Sequence, residues 1–173
     1  MKRLIHTPEG VRDIYGQECD KKRYLQRQIE KLLRSYGYQS IETPSFEFFD
    51  VFSKEVGTIA SKNLYKFFDR EGNTLVLRPD FTPSIARAAS MYFSEETMPV
   101  RLCYEGSVFI NNSSYQGRLK ESTQMGVEFL NEDSPEADAE IIALVVSIMK
   151  RAGLSEFQVS IGSADFFRSL VEE

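Results

Sequence analysis

The sequence predicts an α+β fold in which an antiparallel sheet is flanked by helices. Within Val100–Leu130, two segments alternate polar and apolar residues around a polar, Gly-containing loop, which is typical of two antiparallel strands. Other strand-like segments follow one another without an intervening helix, which argues against a doubly wound parallel sheet. Three further segments carry apolar residues at helical spacing. We therefore expect a strand pair at the centre with helices packed on it.

Composition is that of one globular domain. The chain has 173 residues, 42% of them hydrophobic and 27% charged, enough for one core. Its net charge of −5 argues against a broad basic surface for nucleic acid. Cys19 and Cys103 lack metal-ligand spacing, which predicts reduced thiols in a cytoplasmic protein. No apolar run spans a bilayer and no signal peptide is evident, so we expect no membrane partner.

The first third predicts a helix followed by a short strand. Apolar residues recur at helical spacing over Glu18–Tyr36, and Gly37 ends this helix. Residues 38–43 read as a strand that Pro44 terminates. The bulky residues that follow predict either a core wedge or a subunit contact: Phe46, Phe48, Phe49, Val51 and Phe52.

Two short strands, 63–68 and 74–78, then lead into a second helix. Thr82 followed by Pro83 predicts its start, with Thr82 as the N-cap. Asp80 and Thr82 thus flank a helix N-terminus, where a carboxylate and a hydroxyl can bind an ammonium group. The alternative is that both residues only cap the helix.

The second strand of the central pair has one polar face. Gln124 and Glu128 lie on it with Gly126 between them, whereas Val127 belongs to the opposite, apolar face. Such a face can form the floor of a binding site, where the glycine lets a ligand approach the backbone. Alternatively, it is the solvated side of an amphipathic strand.

The last segments predict a third helix and a last strand. Ser134-Pro135 repeats the cap-then-proline signal, and the helix runs to about Ala152. Phe157–Ile161 alternates like a strand.

Several kinds of site are excluded. His6 is the single histidine, which excludes multi-histidine metal sites, and its place on a predicted surface arm argues against a Cys/His triad. The chain contains no Walker loop, no GxGxxG and no nucleophile elbow. We therefore expect no cofactor and no metal.

Four motifs together carry a family resemblance: TPEGVRDIY, YGYQSIETPSFE, LRPDFTPSIAR and YQGRLKESTQMGVEFL. They resemble the catalytic core of class II histidyl-tRNA synthetases. They are still more similar to the paralogues that serve as regulatory subunits of short-form ATP phosphoribosyltransferase in histidine biosynthesis. The resemblance covers about residues 7–162 and implies a class II aminoacyl-tRNA synthetase-like antiparallel sheet.

The resemblance also implies a ligand site and a dimer contact. The positions of Asp80, Thr82, Gln124 and Glu128 match those that hold histidine in this family, with its ammonium group at the first three. The region Glu18–Pro44 matches motif 1, which implies a homodimer. Thus the resemblance and the residue pattern lead to the same candidate site.

Departures from the synthetase pattern concern amino-acid activation. In class II motif 2 an Arg follows the Phe, but here Ile110 stands there, and Asn112 replaces the usual Glu. Isoleucine cannot stabilise charge that develops on a phosphate. Ser122 replaces a usual Phe. Arg118 and Lys120 match basic positions, which implies either a phosphate contact or ordinary surface charge.

The whole of 1–173 is expected to be one domain, the N-terminal part of a synthetase-like core that ends before motif 3. Three hypotheses follow. In the first, the chain belongs to a non-catalytic regulatory subunit that binds L-histidine and acts on the short-form transferase catalytic subunit. The second is an active histidyl-tRNA synthetase core fragment, and the third is an unrelated α+β interaction module.

Overall fold

The computed structural model describes residues 5–53, 59–112 and 117–162 and confirms an α+β architecture. The helices are α1 (Gly16–Ser35), α2 (Asp50–Ser53), α3 (Thr82–Tyr92) and α4 (Pro135–Arg151), with a 3-10 turn at Ser61–Asn63. The strands are β1 (Gln39–Ser40), β2 (Phe46–Phe48), β3 (Lys66–Phe68), β4 (Thr74–Leu77), β5 (Val100–Phe109) and β6 (Glu121–Leu130). They form two three-stranded sheets.

The first sheet has the order β1-β5-β6 and contains the predicted central pair. β5 and β6 are antiparallel along their whole length, from Val100 opposite Leu130 to Phe109 opposite Glu121. β1 adds to the other edge of β5 in parallel orientation. Residues 113–116 of the polar loop between the strands lie outside the described residues.

Helices cover both faces of this sheet. Successive side chains of β5 point to opposite sides, so each face has its own core. On one face α1 and α4 enclose a core of Leu32, Leu33, Tyr38, Cys103 and Leu144, against which Val127 packs. On the other face α3 contributes to a core of Phe81, Ile85, Leu102, Tyr104 and Val108. The predicted helical stripes therefore face the sheet.

The second sheet has the order β2-β4-β3 and is antiparallel. Its strands β3 and β4 match the two short strands expected from the sequence, with tighter bounds. Val76 on β4 is fully buried, and the ion pair of Glu47 with Arg87 (2.7 Å) ties β2 to α3. Phe46 and Phe48 of the aromatic group are half exposed, at 50% and 56%.

Helix starts and ends test the capping predictions. The Ser134 hydroxyl accepts a hydrogen bond from the Ala137 amide, as expected of the N-cap of α4. Gly37 follows α1 with a φ of +83°, the conformation that favours glycine after a helix. The prediction for Thr82 was wrong, because Phe81 holds the N-cap position of α3 and Thr82 is already helical.

Two strand predictions also need correction. The strand expected over residues 38–43 is only Gln39–Ser40, since only these two residues pair with β5. Phe157–Ile161 is not a strand, although it alternates. Alternation alone does not make a strand, because a strand also needs a hydrogen-bonding partner. No such partner occurs among the described residues, and Ile161 is 71% exposed.

Candidate functional site

The structure brings together all four residues that the sequence suggested for ligand binding. Asp80 and Thr82 stand at the start of α3, whereas Gln124 and Glu128 project from β6. Gln124 donates a hydrogen bond from Nε2 to Asp80 Oδ1 (3.1 Å), and Thr82 donates from Oγ1 to Glu128 Oε1 (2.7 Å). Two direct contacts therefore join segments more than forty positions apart in the chain.

The Asp80 carboxylate is oriented by its neighbours. Its Oδ1 accepts hydrogen bonds from the Phe81 amide (2.8 Å) and from Gln124. Both bonds use the same oxygen, and within the described ranges no hydrogen bond reaches Oδ2. The hydrogen bond from the Phe81 amide is local to the turn, whereas the contact with Gln124 ties Asp80 to the sheet. An ammonium group could approach the Oδ2 side.

Glu128 is a partly buried carboxylate of the site. Burial raises its pKa above the ordinary value, the hydrogen bond from Thr82 lowers it, and the nearby charge of Asp80 raises it further. The Asp80 and Glu128 carboxyl groups thus lie close enough for the charge of one to affect the other. Such a site favours a ligand that brings positive charge.

Tyr104 is a member of the site that sequence reasoning missed. Burial and, next, the charge of Glu128 raise the pKa of its phenol to about 12, so the hydroxyl stays protonated. No local pattern in the sequence marks Tyr104, because the strand register that places it directly opposite Gly126 is set by the tertiary structure.

Gly126 was expected to let a ligand approach the backbone, and this was wrong because the Tyr104 ring covers it. A Cβ atom at Gly126 would clash with the Tyr104 hydroxyl oxygen and lie 2.5 Å from the ring carbon that bears it. The glycine therefore makes room for the tyrosine ring and not for a ligand to approach the backbone. An aromatic ring that covers a cross-strand glycine is a known feature of sheets.

The two basic candidates lie apart from this cluster. Arg118 is exposed. The Lys120 amide donates to the Gly10 carbonyl (2.7 Å), and the side-chain stem of Lys120 packs over Gly10. Neither side chain bonds to the four clustered residues within the described part of the chain. A phosphate contact by these residues stays a prediction.

The main chain at the two motif 2 positions, Ile110 and Asn112, makes local hydrogen bonds. The Ile110 amide donates to the Lys120 carbonyl (2.9 Å), and the Asn112 amide donates to the Ile110 carbonyl (2.9 Å). The Ile110 side chain supplies no donor or charge to a ligand.

Among the described residues, no group of three or more His, Cys, Asp or Glu side chains has a metal-binding arrangement. In the same ranges, no helix combines the length and apolar character needed to cross a bilayer.

Comparisons with known proteins match most of the chain. The sequence profile of the family described as histidyl-tRNA synthetase matches residues 10–173. This chain is similar to proteins named ATP phosphoribosyltransferase regulatory subunit, at 47% identity to the one from Ruminiclostridium cellulolyticum and 46% to the one from Acetivibrio thermocellus. Each alignment covers 98% of this chain but only 40% of the relative, so the chain spans less than half the length of these relatives.

Solved structures give the same picture and confirm the class II fold. The structure described as an ATP phosphoribosyltransferase regulatory subunit/histidyl-tRNA synthetase from Bacillus halodurans has a TM-score of 0.82 at 36% identity, over 91% of this chain and 41% of that one. Apo histidyl-tRNA synthetase from S. aureus has a TM-score of 0.73 at 30% identity, over 88% of this chain and 36% of that one.

Proposed function

Since this chain belongs to the histidyl-tRNA synthetase family, we propose that it forms the histidine-binding part of a non-catalytic regulatory subunit. The subunit would act in the cytoplasm on the short-form ATP phosphoribosyltransferase of histidine biosynthesis, and L-histidine would be its effector. The observation that carries this proposal is the convergence of Asp80, Thr82, Gln124 and Glu128 on one face of β6.

The chemistry of these four residues suits the α-amino end of an amino acid. An ammonium group has three N–H donors and one positive charge. The Asp80 carboxylate, the Thr82 hydroxyl and the Gln124 amide oxygen can accept its hydrogen bonds, and the carboxylate balances its charge. Glu128 would orient the ligand and add negative charge. Thr82 and Glu128 now bond to each other, so ligand binding would exchange that contact for contacts to the ligand.

The motif 2 residues support a binding role without amino-acid activation. An activating enzyme must stabilise charge on the α-phosphate of ATP, and Ile110 and Asn112 bring no positive charge to that task. Loss of one such contact typically lowers a rate on the order of a hundredfold or more. This favours the regulatory subunit over the active synthetase fragment.

Regulation would follow from coupled binding. Histidine would bind one conformation of the subunit more tightly, and the transferase would bind the same or the other conformation preferentially. By linkage, the transferase must then change the histidine affinity by the same factor.

Calorimetry of the full-length protein tests the proposal. We expect L-histidine to bind, whereas N-acetyl-L-histidine, which lacks the ammonium charge, should bind at least about tenfold more weakly. Equal affinity for the two compounds, or no binding of histidine, contradicts the ammonium site. A pull-down with the short-form transferase, with and without histidine, tests the partner and the coupling.

We predict no histidine-dependent ATP–pyrophosphate exchange above background in the full-length protein, because the motif 2 Arg is replaced by Ile110. An active histidyl-tRNA synthetase assayed in parallel is the positive control. Exchange above background contradicts the regulatory assignment and favours the synthetase.

We also predict a homodimer through the Glu18–Pro44 region and the adjoining aromatic residues. In the register of the second sheet, Phe46 and Phe48 share a face with Leu75 and stay half exposed, an apolar surface that a second copy can cover. Light scattering of the full-length protein should give the dimer mass, and a monomer contradicts this. The double substitution Phe46→Asp and Phe48→Asp should weaken the dimer, whereas Phe68→Asp on the other face of the sheet is the matched control.

A further inference from the structure

Arg78 is a buried cation with an unusual set of partners. Only 6% of the residue is exposed. Its Nε donates to the Ser107 carbonyl (2.8 Å), and its Nη1 donates to the carbonyls of Thr43 (2.7 Å) and Pro44 (3.3 Å). All three acceptors are main-chain oxygens, from β5 and from the link between β1 and β2. Among the described residues, no carboxylate forms an ion pair with Arg78.

The Arg78 guanidinium also stacks on the residue that separates two site residues. Its Cζ atom lies 4.0 Å from the centre of the Phe81 ring, and Phe81 stands between Asp80 and Thr82. The Phe81 ring also stacks on Tyr104, with 4.4 Å between ring centres and 17° between planes. A continuous stack therefore runs from the buried guanidinium to the tyrosine of the site.

Gly106 leaves the space that this stack needs. A Cβ atom there would lie 2.6 Å from Arg78 Nη2 and 2.9 Å from Phe81 Cζ, so any side chain would displace one of them. Gly106 also lies directly opposite Gln124 in the strand register. The space for the stack and the position of a site residue are therefore set at the same point of the sheet.

Arg101 offers an internal comparison. Its guanidinium also lies over a phenylalanine ring, 4.1 Å from the centre of Phe129, but it forms an ion pair with Glu140 (2.8 Å). This contact ties β5 to α4 on the face away from the site. A buried cation without a counter-charge costs stability, which an apolar residue would avoid. Stability alone therefore explains Arg101 better than Arg78.

We infer that Arg78 is a positioning residue of the ligand site. By bonding three carbonyls and stacking on Phe81, it fixes the turn that carries Asp80 and Thr82 against the sheet that carries Gln124. This inference rests on the proposed histidine site, but its structural part concerns the order of the turn and does not depend on the ligand.

Matched substitutions in the full-length protein test this role. Arg78→Lys keeps the charge but loses the planar fork and the stacking, and Arg101→Lys is the same change on the opposite face. Gly106→Ala keeps the arginine in the sequence but displaces its guanidinium or the Phe81 ring. Histidine affinity is measured by calorimetry and thermal stability by calorimetric unfolding. The order of the turn is measured by hydrogen exchange of the amides of Asp80, Phe81, Thr82 and Ser84, since Pro83 has no N–H.

For Arg78→Lys and Gly106→Ala we expect faster exchange over residues 80–84 and histidine affinity lower by about tenfold, the size of loss expected when the equivalent of one net hydrogen bond to the ligand is lost. Arg101→Lys should keep the slow exchange and the histidine affinity of the unsubstituted protein, even if its unfolding temperature falls as far as that of Arg78→Lys.

Two results overturn the inference: exchange over residues 80–84 that stays as in the unsubstituted protein in Arg78→Lys, or equal loss of affinity in Arg101→Lys. If the unsubstituted protein does not bind histidine, the proposed function fails, and the exchange data alone then decide whether Arg78 orders the turn.

Discussion

The two faces of the β5–β6 pair do different work, although their residues alternate along the same strands. One face packs on α1 and α4 through apolar side chains such as Cys103 and Val127. The other face carries Gln124 and Glu128, which bond to polar residues at the start of α3. Because neighbouring side chains point to opposite sides, stability and ligand binding can be changed separately on one strand pair. Substitutions on the α1/α4 face should therefore lower stability and leave histidine affinity unchanged, whereas those on the site face should mainly lower histidine affinity.

The largest effect is expected on the face that packs on α1 and α4. Leu144 of α4 is 1% exposed in the core beneath β5, and Leu144→Ala should lower the free energy of unfolding by about 2–5 kcal/mol through lost burial and a cavity. Chemical denaturation measures this loss. Histidine affinity of the protein that remains folded should stay unchanged, and a parallel loss of affinity would show that the two faces are not separable.

The next effect is expected at Asp80, on the site face. Asp80→Asn keeps the shape but removes the charge, and a charge-assisted hydrogen bond contributes about 1.5–3 kcal/mol. Histidine affinity should therefore fall about tenfold to a hundredfold in calorimetry of the full-length protein.

Unfolding of Asp80→Asn should change little, because Asn can accept the Phe81 amide hydrogen bond as Asp does. Unchanged histidine affinity would mean that Asp80 only orders the start of the helix.

The smallest effect on affinity is expected at Glu128. Here the substitution should improve stability relative to the unsubstituted protein as pH rises. Burial raises the pKa of Glu128, so the folded protein keeps this proton after the unfolded chain has released it. The contribution of Glu128 to stability is therefore present below the ordinary carboxyl pKa and is lost as pH rises through the raised value.

Glu128→Gln should remove this loss, so that stability relative to the unsubstituted protein improves between about pH 4 and about pH 7. Denaturation at the two pH values measures the difference, and calorimetry should show a smaller loss of histidine affinity than in Asp80→Asn. Stability that falls more steeply with pH in Glu128→Gln than in the unsubstituted protein would contradict the assigned sign.

Part of the site was readable from short-range pattern. A period of two places Gln124 and Glu128 on one face of β6 whatever surrounds the strand, because alternation is a property of the extended backbone. The same pattern could not assign the space above Gly126. That space depends on which residue of β5 lies opposite, and the register places Tyr104 there.

Helix starts show the same division. Ser134-Pro135 predicted the start of α4 correctly, since the Ser134 hydroxyl bonds to an amide of its own helix. Thr82-Pro83 carries an equal local signal, but the Thr82 hydroxyl bonds to Glu128 instead. A local signal therefore locates a helix start to within a residue, whereas a distant partner decides what the side chain binds.

The sequence by itself determined the α+β class, the long strand pair and, through its family motifs, the four residues of the candidate site. These depend on backbone periodicity, on turn residues and on residue type, which are properties of neighbouring positions. Only the tertiary structure decided that β6 meets the start of α3, that Tyr104 fills the space above Gly126 and that Arg78 lies buried against Phe81. These contacts join segments far apart in the chain, and they exist only once the strand register and the helix packing have been set.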